Sequence, residues 1–329
     1  MIISRTPLRI SFFGGGTDFY EWYKTHPTLV IVSAMDYYCY ISIKKQFNFF
    51  KYKSRVSYSK TEFVKKNSEI RHPSVRESLK YFQFENGLDI QHVGELPAQS
   101  GIGSSSSFTV GFLNAMHALK HQKISKKQLA NEAIYVEQDM IKEAVGVQDQ
   151  ISAAYGGLNI IKLGPGKRMD IKPLKLSFSY KEYLKRSILL GFTGLSRDGI
   201  KLMEKHKSGI KTGKSTTLLE EIEGITREAQ KIFEIEEDIE KLGKLLQRAW
   251  AVKRNFVKKN ENESFDEILK IAMANGALGG KLMGAGAQGF FYFFAHPSKH
   301  HKIIESLPKV RVWVPFNFTE SGSRILKVA

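Results

Sequence analysis

The densest chemistry in the chain is Pro97-Ala98-Gln99-Ser100-Gly101-Ile102-Gly103, followed by four serines, Ser104 to Ser107. Gly101 and Gly103 carry no Cβ, so the backbone can turn its N–H groups toward one point. After them Phe108, Phe112, Leu113, Met116 and Leu119 recur at helical spacing; before them Ile90-Gln91-His92-Val93 alternates as a short strand does. A helix starting at the serines aims its unpaired N–H groups and positive dipole end at the turn. The hydroxyls can bond a phosphate or complete the coordination of Mg²⁺, which takes oxygen ligands. A serine N-cap would account for one hydroxyl and leave three without a structural duty. The stretch reads as a phosphate cradle.

Carboxylates are the next candidates. Glu137 falls within the apolar stripe of Ala130, Ala133, Ile134, Ile141 and Ala144, on a helix expected from the cap Ser125 to about Ala144. A carboxylate there either rotates outward or holds a cation, because uncompensated burial is costly. Gly146 stops this helix, and Val147-Gln148-Asp149-Gln150 opens another. A continuous helix would hold Glu137 and Asp149 about 18 Å apart, so the break is required if they are to meet. Near the N-terminus, Leu8, Ile10 and Phe12 alternate with Arg9 and Ser11, a strand that runs into Gly14-Gly15-Gly16 and presents Thr17 and Asp18. Asp18 is either a turn residue or a carboxylate for substrate hydroxyls.

Several elements must position these residues. Strands are expected at 29–34, 37–43, 158–163, 187–192, 290–294 and 310–314, with more strand in 47–59. Helices are expected at 74–84, 265–274 and 303–307, and over 216–259 with breaks near Glu236-Glu237-Asp238 and at Gly243. The glycine-rich 279–289 reads as a loop, and 164–167 as a turn closing the first of two domains, 1–170 and 171–329. With 329 residues and 42% hydrophobic content both domains can hold cores. No apolar run approaches the roughly 20 residues of a membrane span, and no signal peptide is visible. One cysteine, Cys39, fits a reducing compartment, and a cytoplasmic protein is expected. The net charge of +17 suggests nucleic acid, but the lysines are spread in pairs along the chain. An anionic small substrate accounts for the sign equally well, so neither nucleic acid nor membrane is expected as a partner; a homodimer is left open.

Two motifs are decoys. Gly209-Ile210-Lys211-Thr212-Gly213-Lys214-Ser215 is one residue short of a Walker A loop and follows charged, helical sequence. Gly284 to Gly289 fits G-x-G-x-x-G by letter, but that fingerprint follows a strand and opens a helix, whereas here a helix is expected before it and a strand after it.

Taken together the motifs resemble the GHMP kinase superfamily. Pro7-Leu8-Arg9 with Gly14 and Thr17-Asp18 is similar to the family's first motif, Pro97 to Ser107 to its phosphate loop, and Lys281 to Gly289 to its third, glycine-rich motif. Gly146 to Gln150 is similar to the segment carrying the catalytic aspartate of the sugar kinases. The triple glycine resembles bacterial D-glycero-D-manno-heptose 7-phosphate kinases, and related fucose kinases have a similar segment; Ala287 and Gln288 depart from the family's glycines. The resemblance implies an α+β fold, with an N-terminal mixed domain, a C-terminal ferredoxin-like domain and the site between them. It implies ATP bound along Pro97, Ser100, Gly101, Ile102, Gly103, Ser104, Ser105 and Ser106, with Mg²⁺ on Glu137 and Ser104 or Ser105. Asp149 would be the base, and Arg9 would stabilise the transferring group. Asp18, Thr17, Gly16, Arg197, Gly284 and Gly286 would bind the sugar. Arg5, Arg197, Lys253 and Arg254 are candidates for holding a phosphate on that sugar. The expected reaction is phosphorylation of the anomeric hydroxyl of the heptose 7-phosphate on the way to GDP-heptose and surface or capsule polysaccharide. A fucose-type kinase and a non-catalytic sensor on the same fold are the competing readings.

Overall fold

A computed structural model describes residues 1–47, 49–194, 199–256, 259–284 and 289–328. The strands are β1 (Ile2–Phe13), β2 (Thr28–Lys45), β3 (Ser54–Ser57), β4 (Thr61–Val64), β5 (Leu88–Gly94), β6 (Leu158–Gly164), β7 (Arg168–Pro173), β8 (Ile188–Phe192), β9 (Ala277–Leu282), β10 (Phe290–Ala295), β11 (Val312–Val314) and β12 (Arg324–Val328). The helices are α1 (Tyr20–Tyr23), α2 (Pro73–Tyr81), α3 (Ser104–Leu119), α4 (Lys126–Tyr135), α5 (Gln148–Tyr155), α6 (Phe178–Arg186), α7 (Gly199–Lys211), α8 (Thr216–Glu234), α9 (Ile239–Lys253), α10 (Lys259–Ala274) and α11 (His300–Ser306). None among the described residues is long and apolar enough to cross a membrane.

Strands β1 to β7 and β12 form one sheet with the path β12-β1-β2-β5-β3-β4, from which β6 and β7 branch off β2. The two strands expected over 29–43 are one strand of 18 residues. Its N-terminal half pairs with β6 and its C-terminal half with β5, so the sheet forks along it. Sequence periodicity sees two apolar runs there because each half packs in a different environment. The C-terminal strand β12 closes the edge beside β1, a long-range pairing with no local signature.

The second sheet is antiparallel with the order β11-β8-β10-β9. In chain order that is 4-1-3-2, the ferredoxin-like arrangement. Strand β10, Phe290 to Ala295, is buried on both faces. Phe290, Tyr292 and Phe294 alternate into the core shared with β1, while Phe291 and Phe293 face Trp250 and Phe265. The Phe12 ring stacks on Phe294 at 6.2 Å and meets Tyr292 edge-on at 5.9 Å, so the two sheets share an interior at the end of β1.

Two helix expectations are corrected. Gly243 breaks nothing: it lies inside α9, where a Cβ would stand 2.4 Å from that of Leu278. The missing side chain is spent on seating α9 against β9. Residues 277–282 form β9 instead of a loop, with Gly280 lying under the Phe293 ring. The Gly284 motif therefore follows a strand, not the helix that the sequence suggested.

Candidate active site

Arg9 and Asp149 meet although 140 residues separate them. The guanidinium donates from Nε to Asp149 Oδ1 and from a terminal nitrogen to Oδ2, both at 2.7 Å, a bidentate pair. Strand β1 shifts register against β2 between Pro7 and Arg9, passing over Leu8, and Arg9 resumes opposite Ala34. The Arg9 backbone N–H donates to the Ile102 carbonyl at 3.1 Å, and its side chain donates to the Gly101 carbonyl at 2.5 Å. The phosphate turn thus sits directly on the ion pair. A Cβ on Gly103 would stand 3.1 Å from Arg9 Cγ and 3.2 Å from Asp149 Oδ2.

That turn is built for close approach. Gly101 and Gly103 adopt φ of 83° and 73°, in the left-handed region open to glycine. The N-cap of α3 is Gly103, with no side-chain hydrogen bond to the helix end. The serine-cap alternative therefore fails, and the first-turn N–H groups of α3 keep their donors for something outside the helix. Gly284, after β9, packs backbone to backbone on the cradle: a Cβ on it would lie 2.5 Å from Gly101 Cα. Phe290 N–H donates to the Ser100 carbonyl at 2.9 Å.

The hydroxyls divide unequally. Ser100 is buried and donates to the Pro97 carbonyl at 2.5 Å, and Ile102 lies in the core, so both hold the turn's shape. Ser104 is half-buried and Ser105 exposed. The serine that reaches Glu137 is Ser106, whose hydroxyl donates at 2.8 Å. Gln150 Nε2 donates to the same Glu137 oxygen at 2.5 Å. Glu137 is fully buried, and its Oε1 has no hydrogen-bond partner. Burial, with Glu143 nearby, pushes its carboxyl up to about 7, against the opposing pull of the Thr109, Gln150 and Ser106 side chains.

The helix expected to reach Ala144 ends sooner. After α4 the chain takes one π-helical turn over Val136–Met140, in which Ile141 N–H bonds the Val136 carbonyl at 2.9 Å. Lys142 then adopts φ of 66°. The wide turn carries Glu137 inward, and the break falls at 141–147 instead of at Gly146. Gly146 has another duty: a Cβ there would lie 1.9 Å from Asp18 Oδ2.

Asp18 is buried, accepts Gly16 N–H at 3.0 Å and Gln148 N–H at 3.2 Å, and lines a cavity with Arg9, Gly16, Gln148 and Asp149. Burial raises its carboxyl above the usual range, the Gly16 N–H opposes this, and the Asp149 charge adds to it. Thr17 does not line this cavity. Its buried hydroxyl donates to the Gly14 carbonyl at 2.9 Å and accepts from Thr28 at 2.8 Å, so it serves the turn. Gly284 lines the cavity, whereas Arg197 and Gly286 lie outside the described residues. Of the proposed phosphate binders, Lys253 lines the cavity. Arg5 lies over the Tyr38 ring at 4.2 Å, and Arg254 faces Asp266 at 3.6 Å.

Sequence reasoning missed Lys281 and His206, which share the cavity wall. Lys281 Nζ donates to the Phe12 carbonyl at 2.9 Å, and burial with two neighbouring cations, Lys253 and Arg9, pulls it well below its usual range. Lys253 donates to the Gly284 carbonyl at 2.6 Å, and burial lowers it to about 8. His206 Nε2 donates to the Gly16 carbonyl at 3.1 Å, and burial lowers it too. Lys281 lies in strand β9 and Lys253 ends helix α9, positions whose meeting depends on how that helix packs on the second sheet.

Residues 71–157 match the model of the GHMP kinases N terminal domain, and residues 227–311 match GHMP kinases C terminal. The chain belongs to the GHMP kinase superfamily. This GHMP kinase is 28% identical to the D-glycero-alpha-D-manno-heptose 7-phosphate kinase of Campylobacter jejuni over 99% of each chain. It is 27% identical to the galactokinase of Pyrococcus furiosus, over 88% of this chain and 87% of that one. Its fold matches a solved D-glycero-D-manno-heptose 1-phosphate kinase from Bacteroides thetaiotaomicron with a TM-score of 0.77 and 21% identity, each chain fully covered. The fold is the two-domain GHMP kinase fold, and the protein is a phosphotransferase with a hydroxyl acceptor.

Proposed function

We propose that this kinase transfers the γ-phosphate of ATP to the anomeric hydroxyl of D-glycero-D-manno-heptose 7-phosphate, giving the 1,7-bisphosphate for GDP-heptose and surface polysaccharide synthesis in the cytoplasm. The observation that carries the reading is the bidentate Arg9–Asp149 pair, seated on the Gly101–Gly103 turn and opening on the cavity that holds Asp18. The likeness to the Campylobacter jejuni heptose 7-phosphate kinase along the whole chain supports the choice of sugar. Residues 1–170 would supply the nucleotide side and 171–329 the wall that completes the sugar side.

Phosphoryl transfer asks for in-line positioning and charge neutralisation more than for covalent chemistry. Asp149 accepts the proton of the attacking sugar hydroxyl as that oxygen bonds the γ-phosphorus and the bond to ADP breaks. Arg9 lies beside the transferring group and also orients Asp149. Asp18 accepts hydrogen bonds from sugar hydroxyls. Buried Ser11 Oγ and Gln148 Oε1 on the same wall lack partners, which suits a polyhydroxylated ligand. Lys253 supplies positive charge for a phosphorylated acceptor. The cradle 97–106 receives the triphosphate through the uncapped end of α3.

Magnesium fits the donor set. Glu137 Oε1 is an orphaned buried oxygen and the Ser106 hydroxyl meets the other carboxylate oxygen, and these hard donors would hold the ion. No group of three or more His, Cys, Asp or Glu among the described residues could cage a metal, so the ion would rely on substrate phosphates for further ligands. When bound it neutralises phosphate oxygens. A coupled ADP-release assay over heptose 7-phosphate, fucose, galactose and mevalonate tests the reading. Turnover is expected with the heptose phosphate; preference for fucose or galactose would replace it by the unphosphorylated-sugar kinase, and no turnover with any acceptor would favour the sensor.

A further inference from the structure

The active site leaves one face of the molecule unexplained. Residues 44–66, from the end of β2 through β4, carry Lys44, Lys45, Lys51, Lys53, Arg55, Lys60, Lys65 and Lys66 against a single acid, Glu62. Glu62 is half-buried and already engaged, accepting the N–H groups of Arg71 at 2.6 Å and His72 at 3.1 Å and the Tyr58 phenol at 2.9 Å. Arg55 and Lys44 share Asp89 at 2.8 and 3.5 Å. Lys45, Lys51, Lys60, Lys65 and Lys66 are exposed, with no ion pair among the described residues.

Inside this ring of charge Phe47, Phe49, Phe50 and Phe63 expose 69%, 87%, 54% and 58% of their surface. A single exposed phenylalanine is ordinary, but a contiguous group rimmed by polar residues marks a contact surface. Phe47 leans on Phe49 at 6.0 Å, Phe50 on Tyr52 at 5.2 Å, and Tyr52 on Phe63 at 4.8 Å. The rings make two apolar groups, Phe47 with Phe49 and Phe50 with Tyr52 and Phe63, which neighbour each other in the chain at Phe49-Phe50 and together form the knob.

We propose that this knob and its lysines form a docking surface for an anionic lipid bilayer, with the phenylalanines entering the interface and the ammonium groups meeting the headgroups. Charge complementarity selects the partner. A second copy would have to pair on β4, the edge of the sheet, which brings Lys60, Lys65 and Lys66 against their own kind. Single-stranded nucleic acid needs separate ring faces on which bases stack, and these rings lean on one another instead. Strand β4 stands four strand spacings from β1, about 19 Å across the sheet, so the knob is well separated from Arg9. Docking of this face on a bilayer does not depend on which sugar and nucleotide the catalytic cavity takes.

The test is cosedimentation of the full chain with sucrose-loaded vesicles, phosphatidylcholine alone or mixed with phosphatidylglycerol, in low and high salt. Binding is expected on the anionic vesicles and is lost in high salt. Lys51→Ala/Lys65→Ala should lower the partition about 25-fold at low salt, about fivefold for each cation. Phe49→Ser/Phe50→Ser should lower it at least about tenfold with no change of net charge or Tm. Equal partition on the two vesicle types, or a phenylalanine variant that binds as the parent does, overturns the proposal. So does a poly(dT) oligonucleotide that displaces the protein from vesicles and depends on the same phenylalanines.

Discussion

Replacing Glu137 by glutamine should make this kinase more heat-stable and inactive. Burial raises the carboxyl from 4.5 to about 7, so between those values the folded chain holds a proton that the unfolded chain has released. Stability therefore falls as pH rises from 4.5 to about 7, and stays low above that range. The shift is worth about 3 kcal/mol at pH 8. Glutamine keeps an oxygen for Ser106 and Gln150 but puts an unpaired amide N–H in place of Oε1, which returns about 1 kcal/mol. About 2 kcal/mol remains. For 329 residues at about 2.1 cal/mol/K each, the unfolding entropy is roughly 0.7 kcal/mol/K, and Tm rises about 3 °C. At pH 5 the folded carboxyl is protonated and the unfolded one mostly ionised, so the parent has lost only about 1 kcal/mol, and the variant should melt within about 1 °C of it. Calorimetry without nucleotide or Mg²⁺ at the two pH values measures both numbers. Turnover with Mg²⁺ and ATP should fall at least about a hundredfold. An equal Tm change at both pH values would refute the buried-charge argument, and near-normal turnover would remove Glu137 from the metal.

Asp149→Ala should lower kcat about 10³-fold while nucleotide titration by calorimetry stays nearly unchanged; a kcat close to that of the parent would dismiss Asp149 as base. Asp18→Ala should raise KM for the sugar and leave nucleotide affinity alone, and a collapse of ATP binding would contradict that placement. Because Lys253 titrates at about 8, its charge is lost as pH rises through that value. KM for a phosphorylated acceptor should therefore climb above pH 8, and Lys253→Met should flatten the profile. Gly146→Ala puts a Cβ 1.9 Å from Asp18 Oδ2, so it should weaken sugar binding at least about tenfold or lower Tm. A variant with parental KM and Tm would show that the loop yields freely.

Local patterns carried much of this protein. The alternation of Leu8, Ile10 and Phe12 places Arg9 on the far face of β1, and the glycine-serine run after β5 marks where α3 begins. These signals are legible because strand and helix periods act over a few residues. Other features rest on contacts between distant segments. The 18-residue strand β2 looks like two because β5 and β6 pair with its separate halves. Gly243 looks like a helix stop until β9 is seen packed on it. Thr17 looks like a ligand until Thr28 and Gly14 claim its hydroxyl.

The sequence by itself determined the kinds of groups available: glycine turns, serines at a helix start, two acids and an arginine in separate motifs. Only the tertiary structure decided which of them meet. It set Arg9 against Asp149, joined Ser106 to Glu137 and brought Lys253 and Lys281 to the Asp18 cavity. Secondary structure is encoded within a few residues, whereas the distance between two side chains far apart in the chain is set by how whole sheets and helices pack.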